Sequence, residues 1–246
     1  MKSPPRSVAA ANLARAPRRG KRAAFACIAA IAAGTALAPR AQPTSEPPLA
    51  LVRSWTLIGA DLAGAAGGAP THRMRLEMAL LAGSGWDPDA ILAATRAATG
   101  ILAQCGIRTD RAELYEFDGP VRYRWLDVPA SRELARRTRL VRPAVYFVAG
   151  TRHAPAFDAE AFGRTNSAHR RELAHSVWIV AGARDLPVVL AHELVHVLTD
   201  SGEHSDAPGN LMRDETAPGA VALTAAQCRR AREAGERNGL LERLER

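Results

Sequence analysis

Two histidines and a glutamate stand close together in the last quarter of the chain, at His192, Glu193 and His196. On a helix, positions 192 and 196 lie one turn apart on the same face, so both imidazoles can reach one ion. Imidazole nitrogen is a common zinc ligand, and a catalytic zinc site combines three protein ligands with one open position. A glutamate directly after the first histidine is typical of a base that acts on the attacking water. The spacing therefore predicts a zinc site on a helix, with Glu193 as base and not as ligand.

The third ligand has to come from further along the chain, and His204 is the next histidine. Gly202 can adopt the left-handed conformation that a turn back toward the metal requires. Asp200 lies one turn beyond His196 and could bind the ion if the helix continued, and Asp206 follows His204 by two residues. We predict His204 as the third ligand, with Asp200 and Asp206 as the alternatives.

The segment that carries the two histidines has the pattern of a buried helix. Asp185 is a candidate N-cap, and Pro187 is tolerated in the first helical turn. Buried polar groups destabilise a protein unless they have partners, and a metal ion would be such a partner. Burial is indicated by apolar residues on nearly every side of the helix: Val188, Val189, Leu190, Leu194, Val195, Val197 and Leu198.

The net charge of +8 comes from the N-terminus. Residues 1–38 hold seven lysines and arginines and no acid, and 26 basic and 25 acidic side chains remain without them. This balance argues against a nucleic-acid partner and indicates a targeting segment. The apolar run 23–38 is short for a membrane span. We predict a signal peptide over residues 1–41, with an uncleaved N-terminal anchor as the alternative. The protein would then be secreted or periplasmic, without stable membrane association after signal removal.

Export also bears on the cysteines. Cys27 lies in the leader, which leaves Cys105 and Cys228 as an even pair in an oxidising compartment. We predict that these two form a disulfide that closes a loop of more than a hundred residues. Two buried thiols are the alternative.

The remaining pattern predicts a mixed α/β, or α+β, domain. Residues 42–71 read as a linker with a possible first strand, and residues 72–246 as the catalytic domain. Residues 121–126 are a possible strand, and 150–172 a long loop. Other strands are predicted within 74–80, 107–117, 143–148 and 177–180, and helices begin near Asp87, Ser131, Asp185 and Thr224. This order favours a mixed sheet with packed helices, ending in a C-terminal helix.

The pair His192-Glu193-x-x-His196, the glycine-containing turn, His204 and the segment Asn210-Leu211-Met212 together resemble the metzincin clan of zinc metallopeptidases. That clan has an extended zinc motif followed by a Met-turn, and small secreted bacterial members are the nearest comparison. Two positions depart from the clan's pattern, since Thr199 stands where it has glycine and Gly202 where it has its third ligand.

The resemblance implies a metzincin-like zincin fold, with a twisted mixed sheet and a short C-terminal part. It also implies a zinc-dependent endopeptidase in which His192, His196 and His204 hold Zn²⁺ and Glu193 is the general base. Met212 would form an apolar floor beneath the ligands. We expect a monomer whose partner is a peptide or protein substrate. The alternative is a catalytically inactive, zinc-stabilised binding or structural domain of the same fold.

Overall fold

A computed structural model of the chain describes residues 46–62, 69–152, 159–163 and 169–245. The predicted signal peptide or anchor over residues 1–41 lies outside these described residues, as does part of the predicted linker. In the described part of the chain, no helix is long and apolar enough to cross a bilayer.

The strands form one large sheet and one small pair. In the large sheet the order is β1, β3, β2, β5, β8, β7, and β9 pairs with the start of β2. The three central pairings of this order are parallel, and those of β1, β7 and β9 are antiparallel. The strands of the described residues are β1 (Ala50–Ile58), β2 (His72–Leu81), β3 (Ile107–Asp118), β4 (Trp125–Leu126), β5 (Ala144–Val148), β6 (Gly150–Thr151), β7 (Ala159–Phe162), β8 (Ser176–Val180) and β9 (Glu242–Arg243). The short strands β4 and β6 pair with each other.

Helices cover both faces of the large sheet. The helices of the described residues are α1 (Gly59–Leu62), α2 (Pro88–Ala103), α3 (Val128–Thr138), α4 (Leu186–Thr199) and α5 (Ala225–Arg237). Side chains of α2, α4 and α5 share one apolar core with Leu76 and Met78 of β2. Leu134 of α3 shares the opposite core with Ala79 and Leu81 of the same strand. The predicted fold class, a mixed sheet with packed helices, is confirmed.

Two sequence predictions are wrong in part. Of the possible strand over residues 121–126, only Trp125–Leu126 is a strand; a strand over the whole range would place Val121 and Tyr123 on the same face. Val121 is instead 61% exposed and Tyr123 1% exposed, because a 3-10 turn over Val121–Arg124 separates them before β4 begins. The predicted loop over 150–172 contains β6 and the edge strand β7, whose last residue, Phe162, is fully buried.

Cys105 and Cys228 form a disulfide, as predicted. The bond joins the end of α2 to α5, and both cysteines are buried. It ties together two helices that each contact α4.

Replacing both cysteines by alanine is expected to lower the free energy of unfolding by about 4–5 kcal/mol in the chain-entropy model, because the bond closes a loop of more than a hundred residues. Urea denaturation of the double variant beside the unsubstituted protein measures the difference. Titration of the denatured, unreduced chain should find no thiol beyond that of Cys27. Free thiols from Cys105 and Cys228 would contradict the bond.

An ion pair between α3 and the turn Arg171–Leu173 predicts acid sensitivity. Arg132 donates two hydrogen bonds to Glu172, at 2.8 and 2.9 Å, and these hold the pKa of that carboxyl at about 2. A carboxyl with a lowered folded-state pKa stabilises the protein above its ordinary pKa, and this stabilisation is lost as the pH falls toward about 2.

We expect Glu172→Gln to make stability less dependent on pH between about 5 and 2. The difference should stay within about 1 kcal/mol, because the Arg132 side chain is 40% exposed. Urea denaturation at pH 6 and pH 3 measures it. An equal loss of stability on acidification in both proteins would contradict the assignment.

Candidate metal centre

The two predicted histidine ligands lie on helix α4. Its apolar side chains are buried in the core shared with α2 and α5, and it also contacts β7 and β8. Pro187 occupies the first turn, as predicted, but Asp185 makes no side-chain cap and adopts a left-handed conformation with φ 53°. His192 and His196 are buried on this helix, so their ring nitrogens need partners.

Backbone carbonyls orient both rings. Nδ1 of His192 lies 2.8 Å from the carbonyl oxygen of Leu211, and Nδ1 of His196 lies 2.7 Å from that of Ser201. A carbonyl oxygen can only accept, so each Nδ1 carries the proton and donates. In the neutral ring the proton is then absent from Nε2. The two Nε2 atoms face each other at 2.8 Å.

His204 completes a group of three. Helix α4 ends after Thr199 because Asp200 adopts a left-handed conformation, with φ 49°. The Ser201 amide then donates to the His196 carbonyl as the chain turns back. Nε2 of His204 lies 3.2 Å from Nε2 of His196, and one ligand nitrogen from each of the three histidines lies within 4.8 Å of the others.

These three nitrogens suit a cation. The Nε2 lone pairs of His192 and His196 repel each other at 2.8 Å, and a cation between them removes that repulsion. Zinc–nitrogen bonds of about 2.0–2.1 Å in a tetrahedral site place ligand nitrogens about 3.3 Å apart, near the 2.8 and 3.2 Å that separate Nε2 of His196 from those of His192 and His204. Burial lowers the pKa of His192, and burial with the neighbouring His192 lowers the pKa of His196 to about 4. Both rings are therefore neutral at pH 7, which is the form that binds metal.

A carboxylate stands behind the third histidine. Oδ1 of Asp214 lies 3.4 Å from Nδ1 of His204. A carboxylate on the far nitrogen of a metal-binding histidine orients the ring and raises its basicity. Asp214 is not singled out by the sequence, because it lies ten positions after His204 and only the fold brings the two together.

Glu193 lines the same cleft as the three histidines. For the polypeptide alone, burial first and the nearby Glu160 second raise the pKa of its carboxyl to about 8. A bound cation would favour the ionised form and lower this pKa. Glu193 is outside the group of potential ligands and beside it, the position expected of a base.

The structure does not bring Asp200 or Asp206 into the histidine group. Among the described residues, the group that could hold a metal consists of His192, His196 and His204. The Asp200 carboxylate is directed toward Gly163, where a Cβ would stand 2.5 Å from its Oδ1. Asp206 is exposed.

Residues 210–212 form a turn against the histidine group, which we call the turn beneath the histidines. Met212 is 3% exposed and lines a small cavity together with His204. Its carbonyl accepts from the Ser205 amide, next to His204, and the carbonyl of the preceding Leu211 accepts from His192. The backbone of this turn therefore contacts His192 directly and holds Ser205, the residue that follows His204.

The cleft around the histidines has a volume of about 630 Å³, which is sufficient for several amino-acid side chains. Its described lining contains four acidic side chains and no lysine or arginine: Glu160, Glu193, Asp200 and Asp214. Glu160 lies on β7, in the segment that the sequence predicted as a loop. Its place at the site follows from sheet pairing and could not be read from spacing.

No protein-family model matches the chain, and no curated protein matches its sequence. Among solved structures, the chain is similar to the crystal structure of metalloproteinase-II from Bacteroides fragilis, with 17% sequence identity and a TM-score of 0.49. The match covers 72% of this chain and 57% of that one, so this chain spans less than two thirds of that protein's length.

Proposed function

We propose that the protein is an exported, zinc-dependent endopeptidase of the metzincin type. The observation that carries this proposal is the convergence of three histidine nitrogens beside Glu193 at an open cleft. Two of these nitrogens are kept unprotonated by backbone carbonyls. A purely structural zinc site usually fills its fourth position with protein, whereas a catalytic site leaves it open.

His192, His196 and His204 would hold the zinc ion, which would supply Lewis acidity that acidifies water and polarises the scissile carbonyl. Glu193 would accept a proton from the attacking water and later deliver it to the leaving amine. Asp214 would keep the His204 ring oriented through its Nδ1. Met212 would support the turn beneath the ligands without contacting the substrate.

The alternative is a zinc-stabilised binding or structural domain without turnover. It is favoured by Thr199, which stands where the metzincin pattern has glycine and donates a hydrogen bond back to the Val195 carbonyl at 2.7 Å. Glu193 argues against this alternative, because a structural site has no need of a base at an open cleft.

Chelator-sensitive hydrolysis of a denatured protein substrate distinguishes the two. The endopeptidase should release peptides, stop when the metal is removed and recover when zinc is restored. Zinc binding at one ion per chain without hydrolysis across a broad peptide library would favour the binding domain. Absence of zinc binding would contradict both.

The signal peptide over residues 1–41, secretion or periplasmic location and a monomeric state belong to the same proposal. The disulfide between Cys105 and Cys228 supports an oxidising compartment. Edman sequencing of the exported protein would locate the cleavage site, and an intact N-terminus in the membrane fraction would favour the anchor.

If the cleft binds peptides, its acidic lining should favour basic substrates. We expect a peptide with Lys or Arg beside the cleaved bond to be hydrolysed faster than its Glu counterpart. Glu160→Gln should lower kcat/KM for the basic peptide by about tenfold more than for a neutral peptide, the scale of one hydrogen bond between charged groups. Paired kinetics on the peptides measure this, and equal losses for both would contradict a charge-selective role.

A further inference from the structure

A pair of side-chain amides joins α5 to the turn beneath the histidines. Nδ2 of Asn210 donates to Oε1 of Gln227 at 3.0 Å, and Nε2 of Gln227 donates to Oδ1 of Asn210 at 3.1 Å. Asn210 is 4% exposed, so these bonds form away from solvent. Reciprocal bonds of this kind fix both the position and the orientation of the two amides.

The same amides hold the backbone of the turn. Oδ1 of Asn210 also accepts from the Met212 amide at 2.9 Å. Leu211, between these two residues, is the residue whose carbonyl accepts from Nδ1 of His192. The position of that carbonyl therefore depends on the bonds made by Asn210.

A second contact supports the turn from the other side. The Leu211 amide donates to the Ala222 carbonyl at 2.8 Å. The segment around Ala222 is held by Gln104, which donates to the Val221 carbonyl and accepts from the Leu223 amide, each at 2.8 Å. Gln104 and Gln227 directly precede the two bonded cysteines. The disulfide therefore links the backbone next to both glutamines.

We propose that Asn210 and Gln227 are positioning residues for the metal ligand His192. Their amide pair holds the Leu211 carbonyl where it keeps the proton on Nδ1 of His192 and leaves Nε2 available to the ion. This inference rests on the zinc site of the proposed function and adds two residues that contact neither metal nor substrate. Removal of a residue that orients a metal ligand typically lowers metal affinity about 10–100-fold.

The test compares Gln227→Met with Thr224→Ala. Methionine keeps the length and helix propensity of glutamine but cannot make the amide pair. Gln227 also belongs to the N-terminal capping box of α5. Its side-chain Oε1 accepts from the backbone N–H of Thr224, and its backbone N–H donates to Oγ1 of Thr224. Thr224→Ala weakens that box and leaves the side-chain amide of Gln227 in place, so it controls for helix stability.

Zinc dissociation constants of the full chain are measured at pH 7 by competition with a chelator, after urea denaturation has confirmed that each variant is folded. We expect Gln227→Met to weaken zinc binding at least tenfold and Thr224→Ala to change it less than twofold. Equal affinities for Gln227→Met and the unsubstituted protein would overturn the proposal, and so would equal losses in both variants. Absence of zinc from the unsubstituted protein would contradict the zinc site itself, and the positioning role with it.

Long-range ¹H–¹⁵N NMR of the His192 ring in chelator-treated protein gives a second readout that does not depend on bound metal. The unsubstituted protein should show the proton on Nδ1, and Gln227→Met should show a mixture of the two tautomers. An unchanged spectrum in Gln227→Met would overturn the proposal even if zinc affinity fell.

Discussion

Glu193→Gln is expected to keep one zinc ion per chain and to lower kcat for peptide hydrolysis by about 10²–10⁴-fold, the contribution typical of a general base. Glutamine has nearly the shape of glutamate, but its amide cannot take a proton from water at neutral pH. The group of potential metal ligands consists of three histidines, so zinc binding should survive. Zinc content by atomic absorption and steady-state kinetics on one peptide substrate measure the two quantities.

Glu233→Gln is the matched control. Glu233 lies exposed on α5 and lines neither the cleft nor the turn beneath the histidines, so this variant removes one carboxylate without touching the site. It should keep both zinc and activity. Hydrolysis by Glu193→Gln at the rate of the unsubstituted protein would refute the base assignment. Loss of zinc from Glu193→Gln would show instead that Glu193 supports metal binding.

The local part of the site could be predicted from sequence because helix geometry alone decides it. Positions 192 and 196 share a helix face whatever the rest of the chain does, and the apolar residues around them indicate burial. The disulfide could be predicted because two cysteines, an even number, remain when Cys27 of the predicted signal peptide is not counted. Strands β5 and β8 also stood out, since their continuous apolar runs are typical of strands covered on both faces.

The remaining residues of the site come from tertiary contacts that leave little trace in the sequence. Strand β7 reads Ala-Glu-Ala-Phe, which has no β-branched residue, and only pairing with β8 makes it a strand. Glu160 therefore reaches the cleft through a strand that pattern alone does not reveal. Asp214 reaches His204, and Gln227 reaches Asn210, across loops whose paths depend on backbone hydrogen bonds.

The end of α4 decides which side chain joins His192 and His196. A continuing helix would carry Asp200 onto the face of His196, whereas the left-handed conformation at Asp200 stops the helix and directs the chain back through His204. His204→Ala should therefore weaken zinc binding by more than about 10²-fold. Loss of a metal ligand weakens binding more than loss of a residue that only hydrogen-bonds to a ligand. Chelator competition at pH 7 measures the dissociation constant.

Asp200→Asn is the decisive comparison, and it is a better choice than alanine. Asparagine tolerates the left-handed conformation that this position adopts, so the substitution removes the charge of a possible ligand without straining the turn. We expect Asp200→Asn to bind zinc within about twofold of the unsubstituted protein, because its carboxylate is directed toward Gly163 and is not part of the group of potential ligands. Zinc lost from Asp200→Asn but kept by His204→Ala would reverse the assignment. The ion would then require a helix that continues past Thr199, and the resemblance to the extended metzincin motif would lose its third ligand.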